Sequence, residues 1–272
     1  MEYQLITVEP LTPRIGAFVR GVNLAADLSD EMFNEIHYAW MEHLVLFFRD
    51  QNISNQQHLT LGSRFGDLHV HPAAPFADDN PALMKIHTDE HSFRNNGEGW
   101  HSDVSADVEP PMASILHIHQ TPSHGGDTLW ASMYEAYDAL SDTFKTLLQP
   151  LTAVHVANYS GFYGEHEPQR ENPSAEHPVI RTHPVTGRKA LFVNQGFTKR
   201  IKGVSRAESE ALLNFLFEHV KNPNFHCRFK WEPHSIAIWD NRCTQHMAVW
   251  DYFPETRCGI RVTVKGDRPF YS

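Results

Sequence analysis

Two short segments, Trp100-His101-Ser102-Asp103 in the middle of the chain and Thr244-Gln245-His246 near its end, constrain the fold most. Two imidazoles and one carboxylate can cap one face of a ferrous ion and leave the opposite face open, the donor set of non-haem iron sites. In an extended segment, side chains two apart point the same way. This predicts that His101 and Asp103 grip one metal from a single strand end. The third donor must then come from elsewhere, and His246 is the candidate.

Spacing alone does not single out this pair. With 19 histidines in 272 residues, roughly one His-x-Asp arises by chance. The chain has two, His101-Ser102-Asp103 and His87-Thr88-Asp89. Each has a plainer reading as a surface histidine hydrogen-bonded to a nearby carboxylate, and the surrounding sequence has to separate them.

A chain of this length with 41% hydrophobic residues can bury a sizeable core. No Pro/Gly/Ser linker or low-complexity tract divides it, so a single domain over residues 1–272 is expected. The net charge of -10, with no basic block to offset it, argues against nucleic acid as a partner. No apolar run is long enough to span a bilayer, and Met1-Glu2-Tyr3-Gln4 lacks a signal-peptide profile. Cys227, Cys243 and Cys258 form no Cys-x-x-Cys pair and suit reduced thiols in the cytoplasm. A homo-oligomer is compatible with this composition.

Along the chain, Ile15-Gly16-Ala17-Phe18-Val19 is expected as a strand. A helix capped near Ser29 follows, with Phe33, Ile36, Trp40 and His43 as its buried stripe. Leu44-Val45-Leu46-Phe47-Phe48 is a strand buried on both faces, and Ser54 caps a second helix through Leu59, Leu61 and Phe65. Residues 73 to 99 are expected to be mostly irregular around one strand at 83–86, a long loop where a substrate lid would sit. A strand over 113–118 carries His117, which with His119 is assigned to packing. One helix is expected to hold Tyr134, Tyr137, Leu140 and Phe144. Further on come a strand at 151–156, an aromatic loop with Tyr159, Phe162 and Tyr163, and an exposed charged segment at 165–176. A hairpin turns at Thr186-Gly187, and Ser205-Arg206-Ala207-Glu208 is a capping box opening a helix that buries Leu212, Leu213, Leu216 and Phe217. Short strands at 227–231, 235–240 and 259–265 finish the chain. Many short strands with few helices predict an α+β chain with a mainly β core, a double-stranded β-helix (jelly roll, cupin-like) with flanking helices.

Trp100-His101-Ser102-Asp103-Val104, Gly125-Gly126-Asp127-Thr128-Leu129-Trp130, and Trp239-Asp240-Asn241-Arg242 through Arg261 together resemble the taurine dioxygenase family. This family of iron(II)- and 2-oxoglutarate-dependent oxygenases also includes dichlorophenoxyacetate dioxygenase and alkylsulfatases. The likeness runs from Ile15-Gly16-Ala17 to Gly266-Asp267-Arg268-Pro269-Phe270-Tyr271, and only the His-x-Asp preceded by Trp100 fits it. The resemblance implies His101, Asp103 and His246 as the catalytic iron ligands, with Thr128 and Arg257 holding the far carboxylate of 2-oxoglutarate. A planar guanidinium fork and a hydroxyl suit that task chemically. The implied reaction consumes 2-oxoglutarate and O2, releases succinate and CO2, and hydroxylates a substrate carbon.

At the substrate end the resemblance assigns His71 and Arg261 to the anionic group of the substrate, with Val104 and Phe197 in the pocket wall. A buried guanidinium without a partner is costly, so an acidic substrate is expected. Where the taurine enzyme has a tyrosine, an asparagine and a phenylalanine, this chain has Ala74, Gly97 and Ala106. These departures predict a small anionic organic substrate, sulfonate or carboxylate, bulkier than taurine, with Tyr159, Phe162 and Tyr163 as further walls. The alternatives are an aryloxyalkanoate or alkyl-sulfate dioxygenase and, in another class, a metal-dependent hydrolase on the same barrel. The hydrolase leaves Thr128 and Arg257 without a role.

Overall fold

Strands outnumber helices in the computed structural model, which describes residues 3–72, 74–93, 97–158 and 172–272. Among the described residues, nine strands form one sheet. Its central order is Ala17–Arg20, Val45–Phe48, Ser235–Asp240, Ala113–Gln120, Arg257–Val264 and Asn80–Thr88. All pairs in this run are antiparallel except Ala17–Arg20 with Val45–Phe48, which is parallel. A second sheet of three strands, His226–Phe229, Thr128–Ser132 and Thr244–Ala248, has Thr128–Ser132 at its centre.

The alternation of side chains along a strand explains how the layers stack. From the large sheet, Val45, Phe47, Leu116, Ile118, Ala237 and Trp239 share a core with Trp130, Cys227 and Phe229 of the small sheet. Phe47 stacks on Phe229 at 4.1 Å, and Trp130 meets Trp239 at 5.7 Å. The intervening residues Leu46, Phe48, Ile115, Ile236 and Ile238 face the other way, against Ile36, Ala39 and Trp40 of the helix Asp30–His43 and Leu61 of the helix Asn55–Phe65. Val45–Phe48 is therefore buried on both faces, as its unbroken apolar run predicts. Two facing sheets with helices outside make the expected jelly-roll core.

The helix starts match the sequence signals. Ser29 accepts from Met32 N, and Ser54 and Ser205 each close a reciprocal capping box, with Gln57 and Glu208. In the helix Arg206–Val220, Leu213 and Leu216 are buried, while Leu212 and Phe217 are only partly so. Three expectations change. The single helix after residue 132 is two, Met133–Asp138 and Asp142–Leu148, because Ser141 caps a new start. The segment 73–99 is less irregular than expected, since Asn80–Thr88 is a nine-residue strand paired with Arg257–Val264. Ser174–Pro178, at the end of the expected charged excursion, pairs with Thr152–Val156. The rest of that excursion, and Tyr159, Phe162 and Tyr163, lie outside the described residues. Among the described residues, no helix is long and apolar enough to cross a membrane.

Candidate active site

Backbone pairing brings the two distant segments together. His101 N donates to His246 O at 3.1 Å and His246 N donates to His101 O at 2.8 Å, an antiparallel bridge that sets the two imidazoles side by side. Their ring centroids are 4.2 Å apart. His246 lies on Thr244–Ala248, opposite Trp130, and its ring packs against Trp130 and Trp239. Asp103 is not on the strand end that its spacing suggested. His101 is an isolated bridge, and Asp103 opens the turn that follows. The next residue, Val104, is buried with φ at +47°, and Asp107 N donates to its carbonyl at 3.0 Å. A β-branched residue in this region costs about 1–3 kcal/mol, strain of the kind stored beside functional groups.

One donor atom from each of His101, Asp103 and His246 lies within 4.8 Å of the other two. Asp103 Oδ1 is 3.9 Å from Nε2 of both histidines. His101 Nδ1–H donates to Gly99 O at 2.9 Å, which turns Nε2 inward. Burial lowers the pKa of His101 and, far more, that of His246, so both rings are neutral near pH 7. For Asp103 burial favours the acid form, but the Arg261 guanidinium, the two imidazoles and the Ser114 hydroxyl together outweigh it and hold the carboxyl ionised, well below the usual range. Neutral imidazoles and an ionised carboxylate are the protonation states that metal ligation requires. The donor set therefore fits a first-row divalent metal.

Two residues that the sequence reading passed over fix the carboxylate. Ser114 Oγ–H donates to Asp103 Oδ2 at 2.7 Å, and Asn241 Nδ2 donates to that same hydroxyl at 3.0 Å. Asn241 Oδ1 in turn accepts from Asp103 N at 3.3 Å and Trp239 Nε1 at 3.0 Å. In the sequence Ser114 and Asn241 stand only as a serine inside the apolar run 113–118 and an asparagine within Trp239-Asp240-Asn241-Arg242, with nothing to mark either as a partner of Asp103; the structure shows both buried. Gly196 was also missed. A Cβ there would come within 3.0 Å of the His101 Cβ.

A cavity of about 1000 Å3 opens over this cluster, and all nine predicted site residues line it: His71, His101, Asp103, Val104, Thr128, Phe197, His246, Arg257 and Arg261. Arg257 is buried at 3% exposure, and its one side-chain hydrogen bond among the described residues runs from Nε to Gly126 O at 3.1 Å. Neither terminal nitrogen meets a carboxylate there, and burial accordingly depresses its pKa. Gly126 has φ +72°, and a Cβ on it would press on Arg257 Cδ at 3.3 Å. Thr128 Oγ1 accepts Trp231 Nε1–H at 2.9 Å, which leaves its own hydrogen to donate.

At the other end of the cavity wall, Arg261 Nη1 donates to Asp103 Oδ1 at 2.6 Å. His71 Nδ1 accepts Ala74 N–H at 3.0 Å, which puts the ring proton on Nε2, and burial beside Arg261 lowers its pKa to about 3. Phe197 stands 6.5 Å from the His101 ring and packs on Ala106 and Ala157. Of the three positions with reduced side chains, Gly97 lines the cavity directly, and Ala106 is buried behind Phe197. The second His-x-Asp takes its plainer reading. His87 Nε2 and Asp89 Oδ2 form a half-exposed pair at 3.0 Å.

The model of the taurine catabolism dioxygenase TauD, TfdA family matches residues 7–263. A putative α-ketoglutarate (2-oxoglutarate)-dependent sulfonate dioxygenase of Schizosaccharomyces pombe is 35% identical over 276 residues, covering 97% of this chain and 70% of that protein. An α-ketoglutarate-dependent sulfate ester dioxygenase of Pseudomonas putida is 36% identical over 279 residues, covering 97% of this chain and 91% of that one. The crystal structure of a putative α-ketoglutarate-dependent taurine dioxygenase from Burkholderia xenovorans superposes with a TM-score of 0.87 at 37% identity, over 97% of this chain and 94% of that chain. The chain belongs to the TauD/TfdA family and is an α-ketoglutarate-dependent dioxygenase.

Proposed function

We propose that residues 1–272 form one dioxygenase domain that uses iron(II), 2-oxoglutarate and O2 to hydroxylate an anionic organic substrate bulkier than taurine. His101, Asp103 and His246 would hold the iron. The ion supplies, when bound, the dioxygen chemistry that no side chain here can perform. Arg257 presents its two terminal nitrogens, and Thr128 its hydroxyl, to the far carboxylate of 2-oxoglutarate. His71 offers Nε2–H and Arg261 its guanidinium to the anionic group of the substrate, while Val104 and Phe197 shape the wall. The protein's own share is orientation and exclusion of water.

The observation that carries this reading is Arg257. A guanidinium at 3% exposure, without an acidic partner among the described residues, opens on the same cavity as the two-His-one-carboxylate cluster. Such a charge is costly to bury, and an anion bound from outside would pair with it. A hydrolase would leave it idle. The relatives act, by their names, on sulfonates and sulfate esters, which supports an acidic substrate of that class. The small residue at Gly97, which lines the cavity, supports one larger than taurine. Three unpaired thiols suit a cytoplasmic enzyme.

Succinate production should be measured with taurine, longer alkanesulfonates, alkyl sulfates and aryloxyalkanoates. Longer acids should drive substrate-dependent succinate formation. Fast, tightly coupled turnover of taurine would refute the size assignment. Absence of a metal-to-ligand charge-transfer band on anaerobic addition of iron(II) and 2-oxoglutarate would refute the site.

A further inference from the structure

Asp103 Oδ1 meets one cation, Arg261, at the position where a second, the metal, would bind. Equidistant from Nε2 of His101 and His246 at 3.9 Å, it is the oxygen placed to complete a ligand set. The same atom accepts Arg261 Nη1–H at 2.6 Å. Oδ2 is poorly placed to replace it, because it is held by Ser114 and, behind Ser114, by Asn241. Arg261 has no second acid to turn to: among the described residues Asp103 is its one ion-pair partner, and its Nε is buried with no hydrogen-bond partner. One guanidinium thus lies in contact with the donor oxygen of the candidate metal centre while lining the substrate cavity.

We propose that Arg261 couples the two occupancies: it opposes the metal at Asp103 and is drawn off by the substrate's anionic group, so metal and anion bind with positive cooperativity. This rests on the reading that His101, Asp103 and His246 hold the metal and that Arg261 meets the substrate anion. A dication on Oδ1 withdraws charge from that oxygen and repels the guanidinium, and burial makes both effects strong. An incoming anion neutralises the guanidinium and removes the repulsion. Without metal, an anion that takes Arg261 leaves a buried carboxylate unpaired, which is costly. Reciprocity then follows: whatever factor the metal adds to anion affinity, the anion adds to metal affinity. The ordered outcome is a protein that grips its acid substrate only after the metal position is filled.

The test reads metal affinity rather than turnover. Mn(II) is titrated calorimetrically into wild type, Arg261→Gln and Arg261→Lys, each checked for folding by circular dichroism, with His246→Ala as the ligand-loss control. Arg261→Gln should bind Mn(II) at least about tenfold more tightly than wild type, since a charge-assisted competitor is gone. Arg261→Lys should fall between them. Hexanesulfonate and octyl sulfate, at concentrations where they bind the Mn(II) protein, should tighten Mn(II) binding to wild type and leave Arg261→Gln unchanged. Equal or weaker Mn(II) binding by folded Arg261→Gln overturns the proposal, as does an anion that binds without changing wild-type Mn(II) affinity. Should Arg261→Gln fail to fold, Arg261→Lys decides by the same comparison. Failure of the underlying metal assignment looks different, because wild type and His246→Ala would then bind Mn(II) alike.

Discussion

Replacing Arg257 by lysine separates charge from geometry at the proposed 2-oxoglutarate position. In the structure Nε is committed to Gly126 O at 3.1 Å and the guanidinium lies 5.5 Å from the Trp231 ring centroid, so both terminal nitrogens remain for a carboxylate. Lysine keeps the positive charge but offers one point of attachment instead of a fork. Losing one charge-assisted hydrogen bond costs about 1.5–3 kcal/mol, which corresponds to roughly 10- to 150-fold weaker 2-oxoglutarate binding. Thr128→Val removes a neutral donor worth about 0.5–1.5 kcal/mol, or roughly 2- to 12-fold. It also strands the Trp231 indole N–H, so that variant should melt earlier as well. If both groups grip the same carboxylate, the double variant should be non-additive. Titration of the anaerobic iron(II) protein with 2-oxoglutarate, followed by its charge-transfer absorption, measures all three. Arg257→Lys binding 2-oxoglutarate within threefold of wild type, or the double variant being strictly additive, would refute the reasoning.

Three further outcomes follow from the same geometry. Ser114→Ala frees Asp103 Oδ2 and should weaken metal affinity about 10- to 100-fold, as loss of an outer-shell partner does; calorimetric metal titration checks it. His87→Ala, which breaks a half-exposed pair, should leave metal stoichiometry and affinity unchanged and cost under about 1 kcal/mol, read by the same titration and by urea unfolding. Acidification should destabilise the fold. Burial holds His58 and His177 near pKa 4 and His117 and His155 near 3, against about 6.5 when unfolded. Above pH 6.5 all four are neutral in both states, and the stability tied to them is fully present. As pH falls from 6.5 toward 3 the unfolded chain takes up protons that the folded one refuses. The loss is on the order of 5 kcal/mol per pH unit in mid-window; urea midpoints that stay flat between pH 6.5 and 4.5 would contradict it.

Elements specified locally were legible in the sequence. The apolar stripe behind Ser29 and the capping boxes at Ser54 and Ser205 each carry their own start signal, and Val45–Phe48 shows its double burial as an unbroken apolar run. The candidate residues that share the cavity were nominated on a different ground, because motif order and resemblance pointed to them before any geometry did. Elements specified by partners were not legible. Thr244–Ala248 carries His246 but has no alternating pattern, and it is a strand because Thr128–Ser132 offers it a ladder. Asn80–Thr88 exceeds its apolar centre because Arg257–Val264 pairs with its C-terminal end and Phe76–Ala77 with its N-terminal end. Ser114 and Asn241 were invisible as functional groups, since a serine or asparagine looks alike in sequence whether it faces solvent or a buried carboxylate.

The pair of main-chain hydrogen bonds joining residues 101 and 246 governs when the proposed ion could be taken up. Neither imidazole can reach its station until the last third of the polypeptide has threaded into the small sheet, so nascent or partly denatured chains own no pre-assembled trap. If the proposed centre holds iron, its loading would double as a certificate of finished folding, and a redox-active cation would be kept away from chains that would expose unprotected side chains to it.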